Sequence, residues 1–263
     1  MSWIITGSFA QPDEPEALAY IAAVEAADGE TLEDGVKFAY NSFIKGCKAD
    51  GIWDAIKASC ILAGARTLNG ALVPLAGTAP TNYNFAAGDY NRKTGLKGNS
   101  SNKYLDSNYS ASNLQAGSAS QSVYYSIPHS GNFSCQLGAR TLTPLIITSQ
   151  VANTSVNNFV VQTQNNNPNI FYGNQGVATF VGGSRLGTTE EIRRMNGASY
   201  INSSAALTLP ALDYFVFASN VDGVASSFTN AALAFYHIGE SLDLALLDAR
   251  VTTLMSDLAA AIP

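Results

Sequence analysis

The stretch Ala231-Ala232-Leu233-Ala234-Phe235-Tyr236 decides the fold, because it is apolar at every position. A strand that covers a core with only one face alternates apolar and polar residues, whereas a strand that is apolar on both faces must be covered on both sides. Asp213-Tyr214-Phe215-Val216-Phe217 has the same character. These two stretches predict central strands of a β sandwich, with helices packed over the outer face.

The middle of the chain has the composition of short strands joined by turns. Residues 111–236 carry only four acids and four bases, and they are rich in Ser, Asn, Thr and Gly. Four further β-prone segments are Ser122–Ile127, Leu145–Thr148, Asn158–Gln162 and Val177–Val181, and the turn-rich segments 165–169 and 181–184 lie between strands. We therefore predict a mostly β fold, an antiparallel jelly-roll sandwich over residues 81–240.

The first 80 residues predict a helical N-terminal subdomain with a connector. Asp13-Glu14-Pro15-Glu16 is typical of a helix start, and Asp28-Gly29 of its end. Thr31 is placed to cap a second helix that ends at Asp50-Gly51. The apolar stripe of this second helix is Leu32, Val36, Tyr40, Phe43 and Cys47. The spacing of Ile52, Trp53, Ile56 and Cys60, closed by Gly64, predicts a third short helix.

Residues 241–263 predict a C-terminal helix. Leu244, Leu247, Val251, Leu254 and Leu258 step alternately by three and four, which produces one apolar seam. Two interpretations remain open at this point. The helix packs on its own sandwich, or it forms a short coiled coil between subunits.

The overall composition excludes several classes of protein. With 46% hydrophobic and 13% charged residues, extended disorder is excluded. A net charge of −6 argues against nucleic acid as a partner, since phosphate contacts need clustered Lys and Arg. No run approaches the roughly 18 apolar residues of a membrane span, so we expect no membrane insertion. Residues 1–7 lack the basic and apolar regions of a secretion signal.

Cysteine and histidine are too scarce for a metal site or a disulfide framework. Cys47, Cys60 and Cys135 form no C-x-x-C pair, so we interpret them as free buried thiols. His129 lies in a turn-like stretch and His237 in an apolar strand, so both are interpreted as structural. No metal and no cofactor is predicted.

Catalytic motifs are equally sparse, and we predict that the chain is not an enzyme. Glycoside hydrolysis needs two carboxyl groups across a cleft. The weakly charged middle, residues 111–236, offers Glu190, Glu191, Asp213 and Asp222. The two glutamates are interpreted as neutralised surface charges and Asp213 as the start of a strand. No G-x-S-x-G motif is present. The glycine-containing segments 182–184 and 95–98 are interpreted as hairpin turns rather than phosphate loops.

Two surface features suggest binding. Tyrosines in an uncharged region suit stacking on sugars or filling a protein interface, although half-buried sheet positions are the alternative; they are Tyr124, Tyr125, Tyr172, Tyr200 and Tyr214. Residues 66–110 carry five bases and two acids. Arg92 and Lys93 in this segment are expected to face the acidic helices of a neighbouring subunit. No specific binding residue is assigned beyond these candidates.

Several stretches resemble a module of tailed-bacteriophage virion proteins, cyanophage proteins among them. The resemblance covers residues 20–110 and 231–258, and it is carried by Tyr20–Gly29, Gly46–Lys57, Ala63–Leu75, Ala79–Asn82, Asp89–Asn99, Leu233–Leu244 and Leu247–Arg250. It implies a laminin G or concanavalin A-like jelly roll in a virion surface protein, without a catalytic motif.

The resemblance implies a non-enzymatic structural protein, either a tail-fibre or tail-tip adhesin or a capsid decoration. The implied partners are other virion proteins, further copies of the chain (a trimer is favoured) and a host surface glycan. The implied location is the virion, assembled in the host cytoplasm. The alternatives from other classes are a lectin-like carbohydrate-binding module and a glycan hydrolase.

Overall fold

The computed structural model describes residues 11–130, 133–153, 158–165, 170–172 and 179–263. The helices are α1 (Pro15–Asp28), α2 (Asp34–Ala49), α3 (Leu68–Ala71) and α4 (Leu244–Ala261). The strands are β1 (Ile56–Ile61), β2 (Thr81–Tyr83), β3 (Tyr90–Asn91), β4 (Gly95–Lys97), β5 (Tyr104–Ser110), β6 (Ser120–Ile127), β7 (Ser134–Leu142), β8 (Leu145–Asn153), β9 (Asn158–Asn165), β10 (Ile170–Tyr172), β11 (Thr179–Arg185), β12 (Glu190–Met195), β13 (Ala198–Ser203), β14 (Asp213–Val216), β15 (Ser219–Val221), β16 (Val224–Ser226) and β17 (Ala232–Gly239).

The strands form two sheets that pack face to face. The first sheet has the order β13-β12-β11-β6-β17-β4-β3, and β1 also pairs with β17. The second sheet has the order β10-β9-β8-β7-β14-β5-β2, with the β15–β16 hairpin beside β7. All pairings are antiparallel except that of β15 with β7. The predicted mostly β, antiparallel sandwich with N-terminal helices and a C-terminal helix is confirmed.

Strand β17 is covered on both sides, as its apolar sequence predicts. All eight of its residues are buried. Leu233 and Ile238 enter the core between the sheets, together with Leu137 and Val216 of the second sheet. Phe235 points instead into the helical layer, where its ring meets Phe43 edge to face at 5.8 Å between centroids. A strand buried on both faces has no position for a solvated side chain, which explains the unbroken apolar run.

The helical layer consists of α1, α2 and α4 on the outer face of the first sheet. Helix α1 begins at Pro15, and Gly29 ends it with a φ of 69°. The five seam residues of α4 are all buried within this one chain, in the same cluster as the stripe of α2. The Arg250 guanidinium donates to both carboxylate oxygens of Asp50 at 2.7 and 2.9 Å, which ties α4 to the end of α2. The seam therefore packs on its own chain.

Two predictions for the N-terminal region are wrong. The expected third helix is strand β1, preceded by a single 3₁₀ turn at Trp53–Ala55. The spacing of its apolar residues fits a helix, but pairing with β17 buries every residue of β1 except Lys57, which a lone short helix could not do. Helix α2 begins at Asp34 with Glu33 at its N-cap and no side-chain cap, so Thr31 does not cap it.

The two glycine-containing segments interpreted as turns lie inside strands. Gly182 and Gly183 occupy the middle of β11, between β6 and β12. A Cβ at Gly182 would lie 3.0 Å from the Leu244 side chain of α4, so the missing side chain lets the helix approach the sheet. Gly95 begins β4 with a φ of 84°. Of the predicted strand Val177–Val181, residues 177 and 178 lie outside the described ranges, as do residues 166–169 of the predicted turn.

Candidate functional site

Four aromatic rings cluster on the outer face of the second sheet. Tyr83 and Tyr104 stack with their centroids 4.4 Å apart and their planes 3° from parallel. The ring of Tyr104 also contacts those of Phe215 and Phe228, at 4.7 and 6.1 Å between centroids. We call Tyr83, Tyr104, Phe215 and Phe228 the aromatic ledge.

The sheet register brings the ledge together. Tyr83 of β2 is directly opposite Tyr104 of β5. Leu105 and Val216 enter the core between the sheets, so the residues one position away, Tyr104 and Phe215, point to the outer face. None of the described helices covers this side of β14, and the aromatic rings of the ledge shield Phe215 from water instead. The predicted helical cover is wrong for this strand.

The ledge runs from a buried to an exposed end. Phe215 is 6% exposed, whereas Tyr83 is 40% exposed. Tyr104 covers one side of the Tyr83 ring, so the exposed part lies on the other side. The ledge therefore offers solvent a flat aromatic surface that its neighbours hold in place.

A cleft of about 450 Å³ adjoins the ledge at Phe228. Its wall includes Ser100, His129, Ser130 and Asn230, and Phe133 at its rim is 54% exposed. The cleft combines an apolar rim with hydroxyl, amide and imidazole groups, as small-ligand sites do.

The polar side chains of the cleft are held by one another. His129 Nδ1 accepts hydrogen bonds from Thr229 Oγ1 at 3.2 Å and from the Asn230 backbone N–H at 3.3 Å. Asn230 in turn accepts from the Ser130 backbone N–H and donates to the Ser130 carbonyl, both at 2.9 Å. His129 is buried and its Nδ1 is hydrogen-bonded, in agreement with the environment that the sequence interpretation expects.

Two carboxyl groups lie beside the ledge. Asp106 of β5 is directly opposite Phe215, and Asp213 begins the same strand as Phe215, two positions away. Burial raises the pKa of Asp106, and the charge of Asp213 raises it further. Asp106 Oδ1 accepts from the Asn108 backbone N–H at 2.9 Å. Asp213 thus starts a strand as predicted, but it does so next to a second carboxyl group.

The prediction that Glu191 is a surface charge is wrong. Its carboxylate is fully buried between the sheets and accepts from Arg193 at 3.0 Å. Burial raises its pKa, and the Arg193 guanidinium opposes that rise. The cause is strand alternation in β12, because Ile192 faces the helices and its two neighbours must face the other way. Glu190 is exposed, as predicted.

The five candidate tyrosines do not form one site. Tyr125 and Tyr214 are buried in the core between the sheets, and Tyr124 is half-buried against the helical layer. Tyr200 is exposed on β13, at the far end of the first sheet. The Tyr172 side chain lies outside the described residues. The ledge tyrosines, Tyr83 and Tyr104, were not among the candidates.

Arg92 forms an ion pair within its own chain. Its guanidinium donates to both carboxylate oxygens of Glu33 in the same chain, at 3.0 and 2.6 Å, and to the Gly64 carbonyl. This ion pair lowers the pKa of Glu33 to about 2. The basic segment therefore neutralises the chain's own α2 start at this position, and the expected contact with a neighbouring subunit stays a prediction. Lys93 is exposed.

The remaining thiols and the second histidine are buried. Cys47, Cys60 and Cys135 are free and fully buried, which confirms their interpretation. His237 is fully buried in β17, with its ring nitrogens 3.4 Å from the Ser120 and Ser122 hydroxyl oxygens. Within the described ranges, no cluster of three or more His, Cys, Asp or Glu could hold a metal ion. None of the described helices combines the length and the hydropathy that crossing a bilayer requires.

Comparison with known proteins shows a similar fold among solved structures but does not place the chain in a family. No family model matches the chain, and no curated protein matches it. A mutant of Trypanosoma rangeli sialidase displaying trans-sialidase activity has a similar fold, with a TM-score of 0.50 and 9% identity over 83% of this chain. The chain spans 38% of that protein.

Two further solved structures are similar at lower TM-scores. The K499G mutant of the NanB sialidase from Streptococcus pneumoniae has a TM-score of 0.44 and 9% identity; the match covers 59% of this chain and 27% of that one. The Ruminococcus gnavus IT-sialidase CBM40 bound to α2,3-sialyllactose has a TM-score of 0.39 and 10% identity, covering 51% of this chain and 82% of that one. The chain thus spans about a quarter of the NanB protein. The comparisons identify a β-sandwich fold of the kind found in the T. rangeli sialidase mutant.

Proposed function

We propose that this chain is a non-enzymatic surface protein of a tailed-bacteriophage virion that binds glycan through its aromatic ledge. The observation that carries the glycan-binding part is the exposed ring of Tyr83, which is stacked on Tyr104. An aromatic ring supplies the flat apolar surface on which a sugar ring stacks.

The virion part of the proposal is supported by the resemblance of residues 20–110 and 231–258 to phage virion modules. The fold supports the glycan part in general terms, because a sialidase mutant shares it. A component of a stable particle needs a well-packed core and few reactive groups. This chain has a large buried core, its three thiols are buried, and the apolar residues of α4 pack inside the same chain.

Glycan binding is tested first on an array and then by calorimetry with the best ligand. Tyr83→Ala removes the exposed ring, so we expect about tenfold weaker binding, corresponding to roughly 1.4 kcal/mol of stacking. Tyr83→Phe keeps the ring and loses only the hydroxyl, so its affinity should stay close to that of the wild type. Leu18→Ala, an equally exposed change on α1, is the control for surface apolar area.

Two results would overturn this assignment. One is the absence of any glycan ligand; the other is equal affinity for wild type and Tyr83→Ala. The virion part has its own test, in which antibodies to the chain label purified particles in electron micrographs. Label over the head supports a capsid decoration, label at the tail supports an adhesin, and unlabelled particles refute the virion assignment.

A glycan hydrolase is the second candidate, and the pair Asp106 and Asp213 favours it. Two carboxyl groups near a sugar, one with a raised pKa, are what acid-catalysed glycoside cleavage requires. The test incubates the wild type and Asp106→Asn with the glycan that the array identifies. Our proposal expects no product from either protein. Reducing sugar released by the wild type and not by Asp106→Asn would make the chain a hydrolase.

A further inference from the structure

Strand β13 ends the first sheet. The ends of the other described strand paths are β3, β10 and β2, which have two or three residues each. Strand β1 also lies beside β17 at the other side of the first sheet, but its Ser59 is bridged to Ala76. Strand β13 has six. Natural sheets protect their edges by shortness, charged residues or proline. Residues 195–209 contain neither a charge nor a proline.

The backbone groups that face the open edge can be assigned by alternation. The Ser204 N–H donates to the Thr189 carbonyl at 2.9 Å, and the Ala206 N–H donates to the Thr188 carbonyl at 2.8 Å. Even-numbered residues therefore bond toward β12. The two-residue turn Asn196-Gly197, with φ values of 51° and 76°, places Met195 opposite Ala198, so the even-numbered Ala198 also bonds toward β12. The N–H and C=O groups of Ser199, Ile201 and Ser203 point away from β12.

An apolar surface lies next to this edge. Ile201 is 66% exposed, and Leu186 and Leu246 are 43% and 37% exposed. Between β12, β13 and the start of α4 lies a groove of about 230 Å³, lined in part by Leu186, Ile192 and Leu242. Among the described residues, no other strand pairs with the outward backbone groups of β13. The edge thus combines these groups with exposed apolar side chains, which is the composition of a contact surface rather than of a solvated one.

We propose that β13 pairs with β13 of a second copy of this chain to form a two-fold dimer. A two-fold contact sets one surface patch against the same patch of the second copy, so a charge on the strand would lie close to the like charge of its counterpart. The strand has no charged residue, although the chain as a whole carries −6. Self-pairing across this edge therefore avoids the repulsion that other faces of an acidic protein would meet.

The alternation also fixes the register of the dimer. Hydrogen-bonded pairs must form between residues whose backbone groups face outward, which are the odd-numbered ones. Setting Ile201 opposite Ile201 of the second copy also pairs Ser199 with Ser203 of the second copy, and Ser203 with its Ser199. These three pairs form about six backbone hydrogen bonds, more than any other register of outward-facing residues allows. Ile201 lies on the two-fold axis.

The first test is the mass of the protein in solution by light scattering over a range of concentrations. We expect twice the chain mass of 27.6 kDa for the wild type. Ile201→Lys sets two like charges on the axis, so this variant should be a monomer. Val224→Lys on the β15–β16 hairpin is the matched control, since Val224 is 67% exposed, and it should remain a dimer. Circular dichroism checks that both variants are folded.

The second test traps the register. Opposed residues in a hydrogen-bonded antiparallel pair have Cα atoms about 5.5 Å apart, within the range of a disulfide. Ile201→Cys treated with diamide should therefore form a covalent dimer, whereas Val224→Cys should not. The three native thiols are buried and do not interfere.

A wild type that is monomeric at every concentration would overturn the proposal. So would a trimer, or a dimer that survives Ile201→Lys and does not crosslink through Ile201→Cys. The outcome does not depend on glycan binding, because the ledge lies on the other sheet.

Discussion

Lowering the pH from 7 to 5 should destabilise the protein through His237. This residue lies in β17 with no exposed surface, and its two ring nitrogens each lie 3.4 Å from a serine hydroxyl oxygen, those of Ser120 and Ser122. Burial disfavours the charged imidazolium and lowers the pKa of His237 to about 3. In the unfolded chain the same group has a pKa of about 6.5.

The sign and size of the effect follow from this difference. Below pH 6.5 the unfolded state binds a proton that the folded state does not bind until about pH 3. The free energy of unfolding therefore falls with pH, by about 1.4 kcal/mol for each unit well below 6.5. Between pH 7 and pH 5 the loss from this one residue is about 2 kcal/mol.

Urea unfolding at pH 7, 6 and 5 measures this loss when it is compared with His237→Gln, which cannot titrate. Carboxyl groups respond to pH in both proteins, so the difference between their slopes isolates the histidine. We expect the variant to lose about 2 kcal/mol less than the wild type over this range. Equal slopes would mean that His237 is protonated inside the fold, and the reasoning from burial would be wrong.

Three further predictions concern packing and thiol chemistry. Leu247→Ala, at a fully buried position of α4, should lower the free energy of unfolding by about 2–5 kcal/mol in urea titrations, and a loss below 1 kcal/mol would show that the helix packs loosely. Gly95→Ala should lower the free energy of unfolding by more than about 2 kcal/mol, because the new Cβ would lie 2.1 Å from the Leu233 carbonyl oxygen and the residue has a φ of 84°. Gly88→Ala, with open space around it, should lower the same free energy by less than about 0.5 kcal/mol. The Cys60 thiol, whose pKa burial raises to about 12, should react with an aromatic disulfide reagent only as fast as the protein unfolds, and rapid reaction of the native protein would contradict its burial.

The elements that sequence reasoning predicts well are those whose signal is local. Helix α1 has a proline at its start and a glycine at its end, and the apolar run of β17 can only belong to a strand covered on both sides. Strand β1 shows the limit of such reasoning. Its apolar spacing fits a helix, and the partner that makes it a strand lies about 180 residues further along the chain. The prediction of a turn at Gly182 and Gly183 is wrong for a similar reason. The side chains that occupy the space where their Cβ atoms would lie belong to α4 and β9, which are distant in the sequence.

The candidate site has no local signal at all. Tyr83, Tyr104 and Phe215 come from three strands spread over more than 130 residues, and only the sheet register places their rings together. Asp106 lies outside the weakly charged middle of the chain, residues 111–236, so a search of that region for paired carboxyl groups does not find it. Its proximity to Asp213 follows from the pairing of β5 with β14, which composition does not encode.

The pairing of β1 with β17 has a consequence for synthesis on the ribosome. Residues near position 58 can pair with their partner strand only when residues near 238 have left the exit tunnel. The apolar stripe of α2 likewise cannot pack against α4 until residues 244–261 have been synthesised. Until then the nascent chain carries apolar surface with nothing to bury it, which is the condition that recruits chaperones. A translation arrest anywhere before residue 232 would thus leave a product that cannot complete the first sheet, and such fragments should be degraded rather than accumulate as soluble intermediates.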